Sequence, residues 1–324
     1  MPFLGKFASG ILTTKTALAK SSRDAARVME RIGPNGVRST TFESLEVAGR
    51  MCGAPGCTSG WMKPWKNRRR PVFEEEWGCS ARCLQTMVGS ALARVMGDRS
   101  DDATEEPHRH RVPLGLVLLA QGWITHPQLQ TALAAQRATG EGRIGDWLTR
   151  SCGLAEDRIA RGLGVQWNCP VLTLQGFSPR AMAMVMPKRF VAEFGLIPVR
   201  AAGSNILYVA FQERLRSAAA LGVEQMCGLK VESGLLTTTQ LESARTRLLA
   251  AESVPVRIRL VNDTDALTSS LVKLLEQRQP VASRLVRIHQ YYWMRMWMEE
   301  AAMPGIGGLQ GSIEDTEDHI FMVA

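Results

Sequence analysis

Apolar positions in the middle of the chain recur at helical spacing, stop, and recur again thirty positions later. Leu114, Leu118, Leu129 and Leu133 form the first set, and Ile144, Leu148, Ile159 and Leu163 form the second. Steps of four place each pair on one side of a helix. In the first copy, residues 114–121 predict a short helix closed by Gly122. Thr125 predicts the N-cap of the next helix, with Gln128 three residues on to complete a capping box. The second copy repeats this hairpin with Gly153 as its stop. Leucines on one stripe need only a shared core between the copies. Gly115 and Gly145 also recur, in apolar helical stretches where glycine costs about 1 kcal/mol against alanine. A repeated glycine there implies close backbone approach, and a core does not require the repeated amides Gln136 and Gln166.

Beyond the repeat the pattern alternates between short strands and helices. Residues 170–174 (PVLTL) predict a strand, and Met186-Pro187 interrupts the helical stretch that follows. Residues 196–200 and 205–211 predict two strands joined by a turn containing Gly203. Residues 214–226 predict a helix, 229–233 a strand and 239–251 a helix. VRIRLV predicts a further strand, followed by helical stretches over 263–300 broken at Pro280. In the last of these, Leu285, Ile288, Tyr292 and Met296 make one stripe with Trp293 and Trp297 beside it, a face for a core or a partner. The tail 302–324 is Gly-rich and then acidic.

At the other end, residues 1–50 are Ser/Thr/Lys-rich and hold one predicted helix, 23–32, closed by Gly33-Pro34-Asn35-Gly36. Residues 97–111 are polar and read as a linker. The pattern predicts an α+β, multi-domain chain. Its parts are a basic segment (1–50), a cysteine-rich module (51–96), the linker (97–111), a repeat plus α/β part (112–168 and 169–251), a strand with helices (252–301) and the tail (302–324).

Composition changes this picture little. At 324 residues, 45% hydrophobic and 22% charged, the chain has material for two or three cores. No apolar run is long enough to span a membrane. A net charge of +8 fits either anionic partners or a generally basic surface. The N-terminus lacks the apolar region of a secretory signal, and cytoplasm is the default expectation.

Seven cysteines without such a signal read as thiols or metal ligands. Cys52-x4-Cys57 and Cys79-x3-Cys83 form two close pairs about twenty residues apart. That spacing suits a four-sulfur zinc site, each pair wrapping one edge of the metal. Gly53, Pro55 and Gly56 suit a knuckle turn in the first pair, and the second precedes an apolar helical stretch, 84–96. Such a site is structural, with no open coordination position. Cys152, Cys169 and Cys227 are isolated and read as buried thiols. His108 and His110 read as solvated linker residues. KPWKNRRR, with Trp61 and Trp65, is either a nucleic-acid grip or a solvated basic loop.

The tandem form L-G-x-x-L-x-x-x-G-x6-L-x-x-x-L-x-x-Q, with CPVLTL, MPKRFVAEFGLIPV and LYVAF downstream, resembles the MshEN-type domain. This is the N-terminal region of type II secretion and type IV pilus assembly ATPases. The resemblance covers residues 112–251 and implies binding of cyclic di-GMP, a two-fold symmetric ligand that two related motifs can hold half each. The residues it implicates are Leu114, Gly115, Leu118, Gly122, Leu129, Leu133 and Gln136 in the first copy. In the second they are Arg143, Ile144, Gly145, Leu148, Gly153, Ile159, Leu163 and Gln166. In that setting an arginine pairs with phosphate or a guanine edge. Three departures stand out: Pro113 occupies the first arginine position with Arg111 out of register, Ile144 replaces leucine, and Gly153 falls one residue late.

The motor of that family is not expected here, because no G-x4-G-K-[ST] occurs and too little chain follows Glu252. No catalytic constellation is discernible, and the acids of FEEEW and EDTED read as solvated. The sequence therefore predicts a non-catalytic, cyclic di-GMP-responsive adaptor whose partners are secretion or pilus machinery. The alternative is a zinc-stabilised scaffold for protein or nucleic acid that has lost ligand binding.

Overall fold

The computed structural model describes residues 52–59, 70–97, 111–203, 205–211, 215–304, 309 and 311–324. The predicted helix 23–32 with its turn, Trp61, Trp65 and most of KPWKNRRR, and the linker with His108 and His110 lie outside the described residues.

The cysteine-rich segment contributes a small antiparallel hairpin, β1 (Val72–Phe73) and β2 (Glu76–Trp77), and then helix α1 (Ala81–Gly97). Glu74 and Glu75 form its two-residue turn at φ +48° and +71°, as a primed hairpin turn requires. Glu75 and Glu76 are exposed, in line with the expectation for FEEEW, and Glu74 and Glu75 also make surface ion pairs with Arg94 and Arg284.

The repeat folds as four helices: α2 (Leu114–Ala120), α3 (His126–Thr139), α4 (Ile144–Cys152) and α5 (Glu156–Trp167). Thr125 and Gln128 make the expected capping box. Gly122 and Gly153 take the left-handed conformation that ends α2 and α4, at φ +67° and +66°. The nine residues of α4 run directly into Gly153, whereas the seven of α2 plus Gln121 precede Gly122, so Gly153 falls one residue late.

The α/β part follows, with α6 (Pro179–Ala183), α7 (Lys188–Phe194), β3 (Leu196–Ala202), β4 (Ile206–Phe211), α8 (Ser217–Cys227), β5 (Lys230–Gly234) and α9 (Thr238–Ala250). Its sheet runs β3-β4-β5, antiparallel and then parallel. The strand expected at 170–174 is reduced to one bridge, Val171 to Leu235. Leu172 donates to the Leu235 carbonyl and Leu235 to that of Pro170, and the pairing goes no further.

The last part departs most from expectation. β6 (Val256–Val261) and α10 (Thr264–Arg278) form as expected, but the segment after Pro280 is not helical. It is a hairpin, β7 (Ala282–Ile288) and β8 (Tyr291–Trp297), turning at His289 with φ +52°. The tail supplies β9 (Thr316–Val323), and the sheet order is β6-β9-β8-β7. The stripe Leu285, Ile288, Tyr292, Met296 is split between the two faces of this sheet. Leu285, Tyr292, Met294, Met296 and Phe321 pack under α1 and α10. Val286, Ile288, Trp293, Trp297 and Ile320 join the core of the α/β part. Cross-strand pairing of aromatic and β-branched residues favours this arrangement over a helix.

The cysteine segment is built onto the same sheet. Val72 donates to the Pro280 carbonyl at 3.0 Å, Glu74 donates to that of Ser283 at 2.9 Å, and the Ser283 hydroxyl donates to the Val72 carbonyl at 2.7 Å. β1 thereby caps the β7 edge. Asp318, expected to be solvated, is fully buried. Arg295 grips it with two bonds of 2.7 Å, and the Trp293 indole donates to it at 2.8 Å. Arg295 also donates to the Val185 carbonyl between α6 and α7, tying the sheet to the α/β part.

Candidate metal centre and tandem-hairpin site

The four cysteines predicted to share a metal are brought together. All their sulfurs lie within 4.8 Å of one another, with Cys57 to Cys79 at 3.6 Å and Cys79 to Cys83 at 3.4 Å. Four sulfurs at a Zn–S distance of about 2.3 Å sit about 3.8 Å apart in a tetrahedron, so the spacing fits a single ion. Local sequence explains the placement. Cys57 donates its backbone N–H to the Ala54 carbonyl, folding the first loop back, and Gly56 supplies φ +75° there. Cys79 stands just before α1 and Cys83 lies in its first turn, so the start of one helix sets the spacing of the second pair. The Cys79 backbone N–H donates to the Cys52 sulfur at 3.4 Å, the kind of contact that orients a ligand sulfur.

The sulfurs divide their acidity unevenly. Backbone hydrogen bonding at Ser59, then the Cys79 side chain, pulls the Cys57 thiol down to about 7. The Ser80 hydroxyl lowers Cys83, but burial and the three neighbouring sulfurs outweigh it and push this thiol up to about 12. Burial raises Cys52. The cluster can hold a metal ion, which would favour the thiolate form at every ligand.

In the tandem hairpin, α2 packs on α5 and α3 on α4, so the first helix of each copy meets the second helix of the other. The two glutamines follow this exchange. Gln136 donates to the Gly142 carbonyl at 2.8 Å, just before the second copy begins. Gln166 donates to the Val112 carbonyl at 2.7 Å, just before the first. Gly142 and Val112 are themselves thirty positions apart. The repeated amides therefore clasp the two copies reciprocally.

The repeated glycines also meet protein. A Cβ on Gly115 would stand 2.7 Å from Leu129, and one on Gly145 would stand 3.1 Å from Ile159, the equivalent residue of the other copy. The close approach inferred from sequence is therefore that of the hairpin's own second helix.

The other implicated residues divide by depth. Leu118 and Leu148 are fully buried, and Leu114 and Leu129 nearly so. Ile144, Leu133, Ile159 and Leu163 are half-buried, whereas Arg143, Gly122 and Gly153 lie at the surface. Ile159 and Leu163 line a depression of about 210 Å³ with Asp146, Arg150 and Thr237. Exposed apolar side chains gather near the start of the first copy, at Val112 and Leu116. Arg111 stacks on Trp167 at 3.4 Å, so the arginine two positions before Pro113 already has an aromatic partner.

Sequence reasoning missed two polar features. Glu156 accepts from the Thr239 backbone and hydroxyl at the start of α9, docking the repeat onto the α/β part. The Arg295–Asp318 pair was hidden inside segments read as helix and tail. An arginine at the centre of YYWMRMW was the available signal, because a buried charge requires a buried partner.

Together these features define a class: a reciprocally clasped helical repeat on an α/β part, next to a four-thiol cluster seated on a second sheet. No protein-family model matches the chain, and no curated protein matches it. Among solved structures, MshE with cdg is similar over 43% of this chain and 99% of that one, at 24% identity and a TM-score of 0.34. The N-terminal domain of XpsE is similar over 41% of this chain and 92% of that one, at 18% identity and a TM-score of 0.29. Among the described residues, no helix is long and apolar enough to cross a membrane.

Proposed function

We propose that the protein is a non-catalytic cytoplasmic adaptor whose tandem hairpin takes cyclic di-GMP, with a structural zinc ion at Cys52, Cys57, Cys79 and Cys83. The observation that carries the ligand reading is the reciprocal clasp of Gln136 on Gly142 and Gln166 on Val112. It sets the starts of the two motifs in equivalent surroundings, which suits a ligand made of two equivalent halves. Arg143 supplies the cation at one start and Pro113 leaves the other without one, so the ligand is held asymmetrically. Binding then biases how the flanking parts dock on secretion or pilus machinery.

Titration calorimetry with cyclic di-GMP tests this. Arg143→Ala should weaken binding by roughly ten- to a hundredfold, the worth of one bidentate arginine contact. Pro113→Arg should strengthen it. Absence of heat from the intact protein at high ligand concentration removes the ligand reading.

A second reading has its own support. Leu129 and Ile159 already fill the space at Gly115 and Gly145, and both glutamines are engaged by backbone. In that case the repeat is a scaffold, and the same titration stays silent for both variants.

A further inference from the structure

The two edges of the C-terminal sheet are treated differently. β1 covers the β7 edge, but among the described residues nothing pairs with the outer edge of β6. In the parallel ladder with β9, the carbonyls of Pro255 and Val261 accept from β9. Alternation along the strand turns the N–H and C=O groups of Val256, Ile258 and Leu260 outward. The side chains are open as well: Leu260 is 73% exposed and Ile258 is 44% exposed. Arg257 and Arg259, also exposed, occupy the opposite face, and among the described residues neither makes an ion pair. Glu317, on the same face of β9 as His319, is engaged by Arg278 and by the His319 ring. Burial depresses the neighbouring His319, and Arg259, Arg257 and Arg278 push it in the same direction, a sign of the positive field on this face.

We infer that β6 is a docking edge for an extended acidic segment of a partner protein. The segment adds as a further strand, with carboxylates facing Arg257 and Arg259 and apolar side chains facing Ile258 and Leu260. Open main-chain groups give the affinity, and the alternating side chains give the register and the choice of partner. A second copy of this chain is a poor occupant, because antiparallel pairing of VRIRLV with itself brings arginine opposite arginine. Single charges often serve to guard an edge against pairing. Here they also select the sign of what can pair.

The test uses the full chain and a short labelled synthetic peptide in which glutamate and valine alternate, read by fluorescence anisotropy. Saturable binding is expected, with the outward amides of Val256, Ile258 and Leu260 gaining protection from hydrogen exchange. The double reversal Arg257→Glu/Arg259→Glu should weaken it by about tenfold or more. Leu260→Pro should abolish strand addition while leaving the ladder to β9 intact, since that residue's N–H faces outward. Unchanged circular dichroism shows that each variant still folds. The inference is overturned if no saturable binding occurs, if a lysine–valine peptide binds equally well, or if the charge reversal has no effect. Self-association of the intact chain that is lost in Leu260→Pro would also overturn it in favour of a second copy.

Discussion

The helices of the tandem hairpin bury one stripe each and leave the rest to solvent, whereas β8 buries all seven of its side chains. In the hairpin the polar links are light and lie near the surface, among them a capping box at Thr125 and two amide-to-carbonyl clasps. The C-terminal sheet carries a desolvated ion pair, with Arg295 and Asp318 both at 0% exposure. One face of this sheet shares a core with the four-cysteine segment and the other shares a core with the α/β part. The hairpin can therefore vary its surface at little cost, and the sheet is the joint between the cysteine segment and the α/β part.

Metal removal should break this comparison most visibly. Metal affinity in small thiolate sites is folding free energy, and the cysteine segment has few contacts of its own. If a chelator strips zinc from the purified protein, β1 should leave the β7 edge and α1 should loosen over α10. Hydrogen exchange should rise along β7 and α1 while α3 and α4 stay protected. Equal loss of protection in both regions, or no zinc in the untreated protein by metal analysis, contradicts the assignment.

The next effect belongs to the joint. Asp318→Ala leaves Arg295 buried without a carboxylate and should cost about 3–5 kcal/mol, measured by urea denaturation. Leu148→Ala, at a fully buried position of the hairpin, should cost about 2–5 kcal/mol. The two should differ in reach. Loss at Asp318 should expose residues in the α/β part through the broken Arg295–Val185 link, whereas loss at Leu148 should stay within the repeat. If both variants unfold the same residues, the joint is not distinct.

This difference also sets what can be read from the chain. One-sided burial writes its period into the sequence, so Leu114, Leu118, Leu129 and their counterparts announced a hairpin, and Thr125 with Gln128 announced its cap. Burial on both faces erases the period. YYWMRMW is apolar almost throughout, and the spacing of Leu285, Ile288, Tyr292 and Met296 imitates a helix although Ile288 lies on the face opposite to the other three. The cysteine cluster was legible because sulfur ligands come in close pairs. Its seat on a sheet made two hundred residues later was not legible, because long-range strand pairing leaves no local mark. Gly115, Gly145, Gln136 and Gln166 stood out as unusual, but their partners Leu129, Ile159, Gly142 and Val112 become visible only in the fold.

A smaller effect appears with pH. Burial first, and then Arg259, Arg257 and Arg278, depress His319 from 6.5 to about 4. The folded protein therefore keeps this histidine neutral where the unfolded chain takes up a proton. The resulting stability is complete above pH 6.5 and is lost as the pH falls towards 4. His319→Gln should flatten stability between these limits. A retained slope would assign acid sensitivity to other groups.

The finest test lies within the repeat, between its two second helices. α3 begins with a full capping box, whereas α5 begins at Ala155, whose side chain cannot accept a hydrogen bond. Thr125→Ala should cost about 1 kcal/mol and Ala155→Ser should gain a similar or smaller amount. Glu156 and Asp157 already favour the start of α5 through the helix dipole, and Glu156 is committed to Thr239. The gain from serine should therefore fall below the loss at threonine. Thermal denaturation of both single variants and the double variant measures this. Equal and opposite shifts would show that Glu156 contributes nothing locally and acts only as the bridge to α9.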